Sequence, residues 1–182
     1  MKVPDIIFLC GFMGTGKTTI GQKVSSRLER PFLDLDDRII ERANKSIPEI
    51  FESGGEEEFR TVERQALMEV CRNFEGIVAL GGGSLQNQHL LDHLKLNGLL
   101  IFLETPFSIL MDRIYQDTNR PLLLDEQGNV KEREALEEEL RFLYDDRLPL
   151  YRQAAISIRM EAGESPDEQV EILMKKIRNH VA

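Results

Sequence analysis

The sequence predicts an α/β fold in which a parallel sheet carries helices on both faces. Three observations carry this expectation. Short, almost wholly apolar runs recur along the chain, as strands buried on both faces require. Stretches of helical length and periodicity separate them. A glycine-rich loop stands between the first apolar run and the first helical stretch, where such sheets bind ligands. With 182 residues, 41% of them hydrophobic, the chain has the content of one ordinary core, and a single domain over residues 1–182 is expected.

The apolar runs are Ile6–Cys10, Phe32–Leu33, Ile77–Leu80, Leu99–Leu103 and Ile156–Ile158, each bounded by polar or glycine-containing turns. A first helix is expected over Thr18–Leu28 and a short one over Arg38–Ala43. Ser46-Ile47-Pro48-Glu49 and Ser165-Pro166-Asp167-Glu168 both fit the S-x-x-E capping box, the second with proline at the first helical position. From Glu57 to Asn73 the residues Phe59, Val62, Ala66 and Val70 fall on one stripe, leaving Arg60, Glu63 and Arg64 on a different, partly shared face that meets either a cleft or water. Phe107–Tyr115 and the acidic Glu132–Tyr144 read as helices. The last helix places Val170, Leu173, Met174, Ile177 and Val181 on a docking face. Between residues 116 and 133 the periodicity is weak, and a loop of that length inside a small domain usually serves function.

Composition excludes several classes. The formal net charge of -9 and the lack of any Lys/Arg block argue against a nucleic-acid partner. No apolar run approaches the roughly 20 residues that span a bilayer, so a cytoplasmic protein without a membrane partner is expected. Cys10 and Cys71 have no metal-ligand spacing with His89, His93 or His180, and both read as core residues. A monomer is the default expectation.

Gly11-Phe12-Met13-Gly14-Thr15-Gly16-Lys17-Thr18 matches G-x-x-x-x-G-K-[ST] between a strand and a helix. Such a loop turns successive backbone N–H groups inward, and with the positive helix N-terminus they cradle a diphosphate. Lys17 then reaches the β- and γ-phosphates and the Thr18 hydroxyl can ligate Mg²⁺. Gly14, Thr15, Gly16, Lys17, Thr18 and Thr19 are the candidate nucleotide contacts. No guanine-reading Asn-Lys-x-Asp segment is present, so ATP is expected rather than GTP.

Acids follow the second strand in Phe32-Leu33-Asp34-Leu35-Asp36-Asp37, and ligands of open parallel sheets bind beyond the carboxyl ends of strands. On an extended stretch Asp34 and Asp36 share a side, one able to attend a hydrated Mg²⁺ and the other to accept from the reacting hydroxyl. The alternative is that Asp36 or Asp37 caps the next helix. Gly81-Gly82-Gly83 after the third strand indicates either a ligand close to the backbone or a tight packing turn. Arg60, Arg120 and Arg152 lie beside these segments and offer planar forks for carboxylate or phosphate.

Taken together, the phosphate loop, Asp34-Leu35-Asp36, Glu58-Phe59-Arg60, Gly81-Gly82-Gly83, Asn119-Arg120-Pro121-Leu122-Leu123 and Leu150-Tyr151-Arg152 resemble the shikimate kinase family in order and spacing, over about residues 5 to 178. The resemblance implies a three-layer P-loop kinase with a five-stranded parallel sheet of order 2-3-1-4-5 and a lid over about 116–133. It implies that Asp36, Arg60, Gly82 with Gly83, and Arg152 hold shikimate, the two arginines on its carboxylate. Asp34 would attend Mg²⁺ through water, Arg113 would stack on adenine, and Arg120 would close the lid over the phosphates. Lys17, Asp36 and Arg120 are then the candidate catalytic residues. Glu63 either fixes the Arg60 guanidinium or lies exposed on the helix. The chain departs from the family at Glu164-Ser165-Pro166, where members often carry a basic residue, and in a lid extended through Leu124 to Val130.

The activity implied is transfer of the ATP γ-phosphate to the shikimate 3-hydroxyl. Two rivals share parts of the pattern: a gluconate kinase, which has the loop and the acid but no need of paired arginines, and a nucleotide-binding regulatory module without phosphoryl transfer.

Overall fold

The computed structural model describes residues 3–116, 131–161 and 163–181. Its centre is a five-stranded, all-parallel sheet in the order β2-β3-β1-β4-β5, built from β1 (Ile6–Cys10), β2 (Phe32–Asp34), β3 (Gly76–Ala79), β4 (Leu99–Glu104) and β5 (Ile156–Arg159). All five residues of β1 are buried, because the central strand is covered on both faces. The edge strand β5 alternates buried and exposed residues, as one-sided cover dictates.

Alternation along each strand sorts the core into two layers. Phe8, Cys10, Val78, Leu100 and Phe102 face α2 (Leu35–Ala43), α3 (Ile47–Asn73), α4 (Gln88–Asn97), α5 (Phe107–Gln116) and α6 (Arg133–Tyr151). Ile7, Leu9, Ile101 and Leu103 face α1 (Lys17–Leu28) and α7 (Pro166–Val181). Val170, Leu173 and Ile177 of α7 are fully buried there, as the expected docking face requires. Cys10 is buried, and burial pushes its thiol up to about 12, so it is inert as a nucleophile.

Both capping boxes form. The Ser46 hydroxyl accepts from the Glu49 N–H while the Glu49 carboxylate accepts from the Ser46 N–H, and Ser165 and Glu168 repeat the exchange.

Four expectations about elements need correction. The third strand runs one residue earlier than its apolar run, so Leu80 already belongs to the turn. α2 begins at Leu35 rather than Arg38, and its N-cap is Asp34, whose Oδ1 accepts from the Asp36 N–H at 3.1 Å; neither Asp36 nor Asp37 is the cap. The segments starting at Ser46 and at Glu57 are continuous through Asn73, broken only by a kink at Gly55, whose φ of 66° favours glycine. α6 extends past Tyr144 to Tyr151 with Pro149 inside it.

Among the described residues no helix is long and apolar enough to cross a membrane.

Candidate active site

The strand order sets the site. β2, β3 and β1 are neighbours, so Asp34 at the end of β2, the glycine triplet after β3 and the phosphate loop after β1 meet at the carboxyl edge of the sheet. A cleft of about 380 Å³ opens there, lined by Lys17, Thr18, Asp34, Asp36, Gly82 and Arg113 together with Gly14, Gly16 and Thr19. Thr15 is buried beneath the loop, and its hydroxyl has no hydrogen-bond partner among the described residues.

Gly16 caps α1 with φ 88°, which lets the loop turn straight into the helix. Lys17 folds over the loop and donates to the Gly11 and Phe12 carbonyls at 2.9 and 3.0 Å. Thr18 donates its hydroxyl to Asp34 Oδ2 at 2.7 Å. Arg113, arriving from α5, donates to the Gly14 carbonyl at 3.0 Å, which holds its guanidinium at the rim of the cleft.

Asp34 and Asp36 reach the cleft by a route the extended-chain argument missed. The chain turns helical between them, so Asp36 projects from the first turn of α2 while Asp34 caps that turn. Asp36 Oδ1 lies 3.1 Å from where a Cβ on Gly81 would stand, and the same space faces Ser84 Oγ and Glu63 Oε1. Burial, reinforced by the nearby charges of Asp34 and Glu63 and opposed by Lys17, pushes the Asp36 carboxyl up to about 6.

The glycine triplet is both a close packing point and the hub of the site. A Cβ on Gly82 would stand 3.0 Å from the Met13 nitrogen, and one on Gly83 would meet the guanidinium groups of Arg60 at 3.2 Å and Arg147 at 3.5 Å. Arg60 is held by Glu63 at 2.8 Å and by Glu56 at 3.1 Å. Glu63 itself is only 5% exposed and accepts from the buried Ser84 hydroxyl at 2.6 Å. The positions 59, 63, 66 and 70 share one helical face, so Glu63 belongs to the buried stripe and the ion-pair alternative holds.

Arg152 is not brought to this hub. It pairs with Glu104 at 3.4 Å at the end of β4, and its side chain is 62% exposed. The reason is helical geometry: Tyr151 occupies the inward position, and its immediate neighbour must point elsewhere. The residue that shares the Tyr151 face is Arg147, one turn earlier. Arg147 donates to the Gly82 carbonyl at 3.1 Å, and Tyr151 donates to the same oxygen at 2.6 Å. Arg147 and Ser84 were absent from the sequence reading, and Tyr151 stood there only as a motif neighbour of Arg152. The i, i+4 spacing of Arg147 and Tyr151 was the available signal, but it required knowing that the helix continues through Pro149. Arg120 and the lid from 117 to 130 lie outside the described residues.

A family model described as shikimate kinase matches residues 13–178. The shikimate kinase of Chlorobium luteolum is 38% identical over 180 residues, 99% of this chain and 89% of that protein. The structure of an Acinetobacter baumannii shikimate kinase in complex with shikimate superposes with a TM-score of 0.83 at 37% identity, covering 98% of this chain and 95% of that one. A gluconokinase from Sinorhizobium meliloti is similar at TM-score 0.62 and 16% identity over 98% of this chain and 94% of that one, a likeness of fold alone.

Proposed function

The chain belongs to the shikimate kinase family of ATP-dependent phosphotransferases, and from that premise we propose that it moves the γ-phosphate of ATP onto the shikimate 3-hydroxyl through Lys17, Asp36 and a pair of arginines, Arg60 and Arg147. The observation that carries this reading is the glycine hub: Asp36 stands beside Gly81, and two guanidinium groups flank Gly83. A ring that offers a carboxylate to the arginines would turn a hydroxyl toward Asp36 and the mouth of the phosphate loop. Arginine forks suit a carboxylate by two parallel hydrogen bonds.

In the reaction, the 3-hydroxyl oxygen forms its bond to the γ-phosphorus as the bond to the β,γ-bridging oxygen breaks, and ADP leaves. Asp36 accepts a hydrogen bond from the attacking hydroxyl and takes its proton. A carboxyl near 6 is ionised at neutral pH yet basic enough to hold that proton in passing. Lys17 exchanges its loop carbonyls for phosphate oxygens and balances the charge that develops on them. Arg113, held at the rim by the Gly14 carbonyl, would meet the nucleotide. The resemblance gives Arg120 the closing charge over the phosphates.

The residues present fit Mg²⁺. Thr18 and Asp34 supply two hard oxygen donors 2.7 Å apart at the loop. Among the described residues no group of three or more His, Cys, Asp or Glu could cage a metal, in keeping with an ion carried mainly by ATP phosphates and water. When bound, it would offset phosphate charge.

The test is ADP release with Mg-ATP and shikimate, quinate, gluconate or no acceptor, with the product identified by mass. Shikimate-dependent release yielding shikimate 3-phosphate is expected. Release only with gluconate would transfer the reading to the rival kinase, and binding of ATP with no acceptor phosphorylated would favour the regulatory module.

A further inference from the structure

A second cleft, of about 460 Å³, opens between α3 and α4 on the far side of Glu63. α3 lines it with Arg60 and Arg64, one turn apart, and α4 lines it with His89 and His93, also one turn apart. Residues at this spacing share a helical face, so each helix turns a pair of nitrogen-bearing side chains toward the same space, with His93 Nε2 also 3.4 Å from the Asn97 amide nitrogen. The arrangement runs against the composition: the chain has 32 acids against 23 Lys and Arg and three histidines in all, two of which are here.

Among the described residues the one acid lining the cleft, Glu63, is already occupied. Its Oε1 accepts from Ser84 and its Oε2 from Arg60. Arg60 is matched by Glu56 and Glu63, whereas Arg64 makes no hydrogen bond or ion pair with any described residue and is exposed. Among the charged and imidazole side chains that line the cleft, the nitrogen bases therefore outnumber the carboxylates. Met68 of α3 and Leu90 of α4, backed by the fully buried Leu67, give the cleft an apolar wall.

We propose that this cleft binds a small organic anion with an apolar body, of the aromatic carboxylate class. Its ring lies against Met68 and Leu90, and its carboxylate pairs with the Arg64 fork and with one ring N–H each of His89 and His93. A bare inorganic anion would satisfy the donors but leave the apolar wall open to water, and the volume lies within the range of small-molecule sites. The planar guanidinium suits a carboxylate in particular. The site is separated from the nucleotide cleft by the Arg60, Glu63 and Ser84 side chains.

Benzoate is the probe, titrated into isotopically labelled protein that is saturated with shikimate, Mg²⁺ and a non-hydrolysable ATP analogue, so that both substrate sites are filled. The ring signals of His89 and His93 are followed by NMR. Saturable shifts of both histidines are expected, weaker for inorganic phosphate, and Arg64→Glu should weaken benzoate binding by at least about tenfold, as loss of a charge-assisted hydrogen bond implies. His93→Gln should weaken it as well, and both variants should keep the parent kcat and KM. Shifts that rise without saturating, that are unchanged in Arg64→Glu, that disappear once shikimate fills its own site, or that phosphate produces equally well would overturn the proposal.

Discussion

Arg60 and Glu63 form an ion pair at 2.8 Å in which the carboxylate is buried and the guanidinium is turned to the glycine hub. A buried acid that holds an arginine in place serves the arginine's orientation more than the fold, since a buried pair seldom stabilises beyond a well-packed apolar substitute. Glu63→Gln should therefore raise the KM for shikimate by about tenfold or more with little change in the KM for ATP. Glu63→Ala, which strands both Arg60 and the Ser84 hydroxyl, should also cost about 2–4 kcal/mol of stability. Steady-state kinetics and urea unfolding of the two variants separate these effects.

Asp36 gives a paired prediction on turnover and stability. Asp36→Asn should lower kcat by about a hundredfold or more while leaving ATP affinity within about threefold. Its raised carboxyl binds a proton more readily in the folded chain than in the unfolded one. Between about pH 4 and the folded value of about 6 the native state thus holds more protons, and stability falls as pH rises through that window. The penalty is fully present at neutral pH, so Asp36→Asn should raise Tm there by about 2–6 °C. At pH 4 the gain should vanish. An inactive variant with a lower Tm at pH 7.5 would place Asp36 in a structural role.

The same group sets the acid limb of activity. In the wild-type enzyme kcat/KM for shikimate should fall as pH drops through about 6, because the protonated carboxyl cannot accept from the attacking hydroxyl. A pH profile flat from 5 to 8 would remove Asp36 as the proton acceptor.

Asp34 combines a cap with a metal role. Its Oδ1 caps α2 and its Oδ2 accepts from Thr18, so Asp34→Ala should cost about 0.5–2 kcal/mol of stability through the cap alone. Asp34→Ser retains a capping oxygen but not the charge. It should keep most of the stability and still require more Mg²⁺ for half-maximal activity, which a magnesium titration of the two variants reads directly.

Much of this arrangement was legible in the chain itself. Strand runs such as Ile6–Cys10 are apolar throughout because both faces are covered, and the loop from Gly11 to Thr18 carries its own context. What local patterns could not settle was direction. Asp34 and Asp36 were placed on one extended stretch by their two-residue spacing, with Asp36 or Asp37 as the alternative cap, but capping by Asp34 turns the chain helical one residue later. Arg152 was chosen because Leu150-Tyr151-Arg152 resembles the family pattern, and Arg147 was not singled out. The helix in fact tolerates Pro149 and continues to Tyr151, putting Arg147 inward and Arg152 outward. Glu63 stayed open between an ion pair with Arg60 and an exposed charge for want of knowing that Ser84, from a distant loop, would meet it.

Arg147 inside α6 and Arg152 at its C-cap offer the most direct test of the account, because they differ in placement and not in chemistry. The measurement is the KM for shikimate in Arg147→Ala and Arg152→Ala, taken side by side at saturating Mg-ATP. Arg147→Ala should raise that KM by about thirtyfold or more, as loss of a charge-assisted carboxylate contact implies, with Arg152→Ala within about twofold of the parent enzyme. A large effect at Arg152 with an unchanged KM at Arg147 would contradict the account and move the carboxylate site away from the glycine hub.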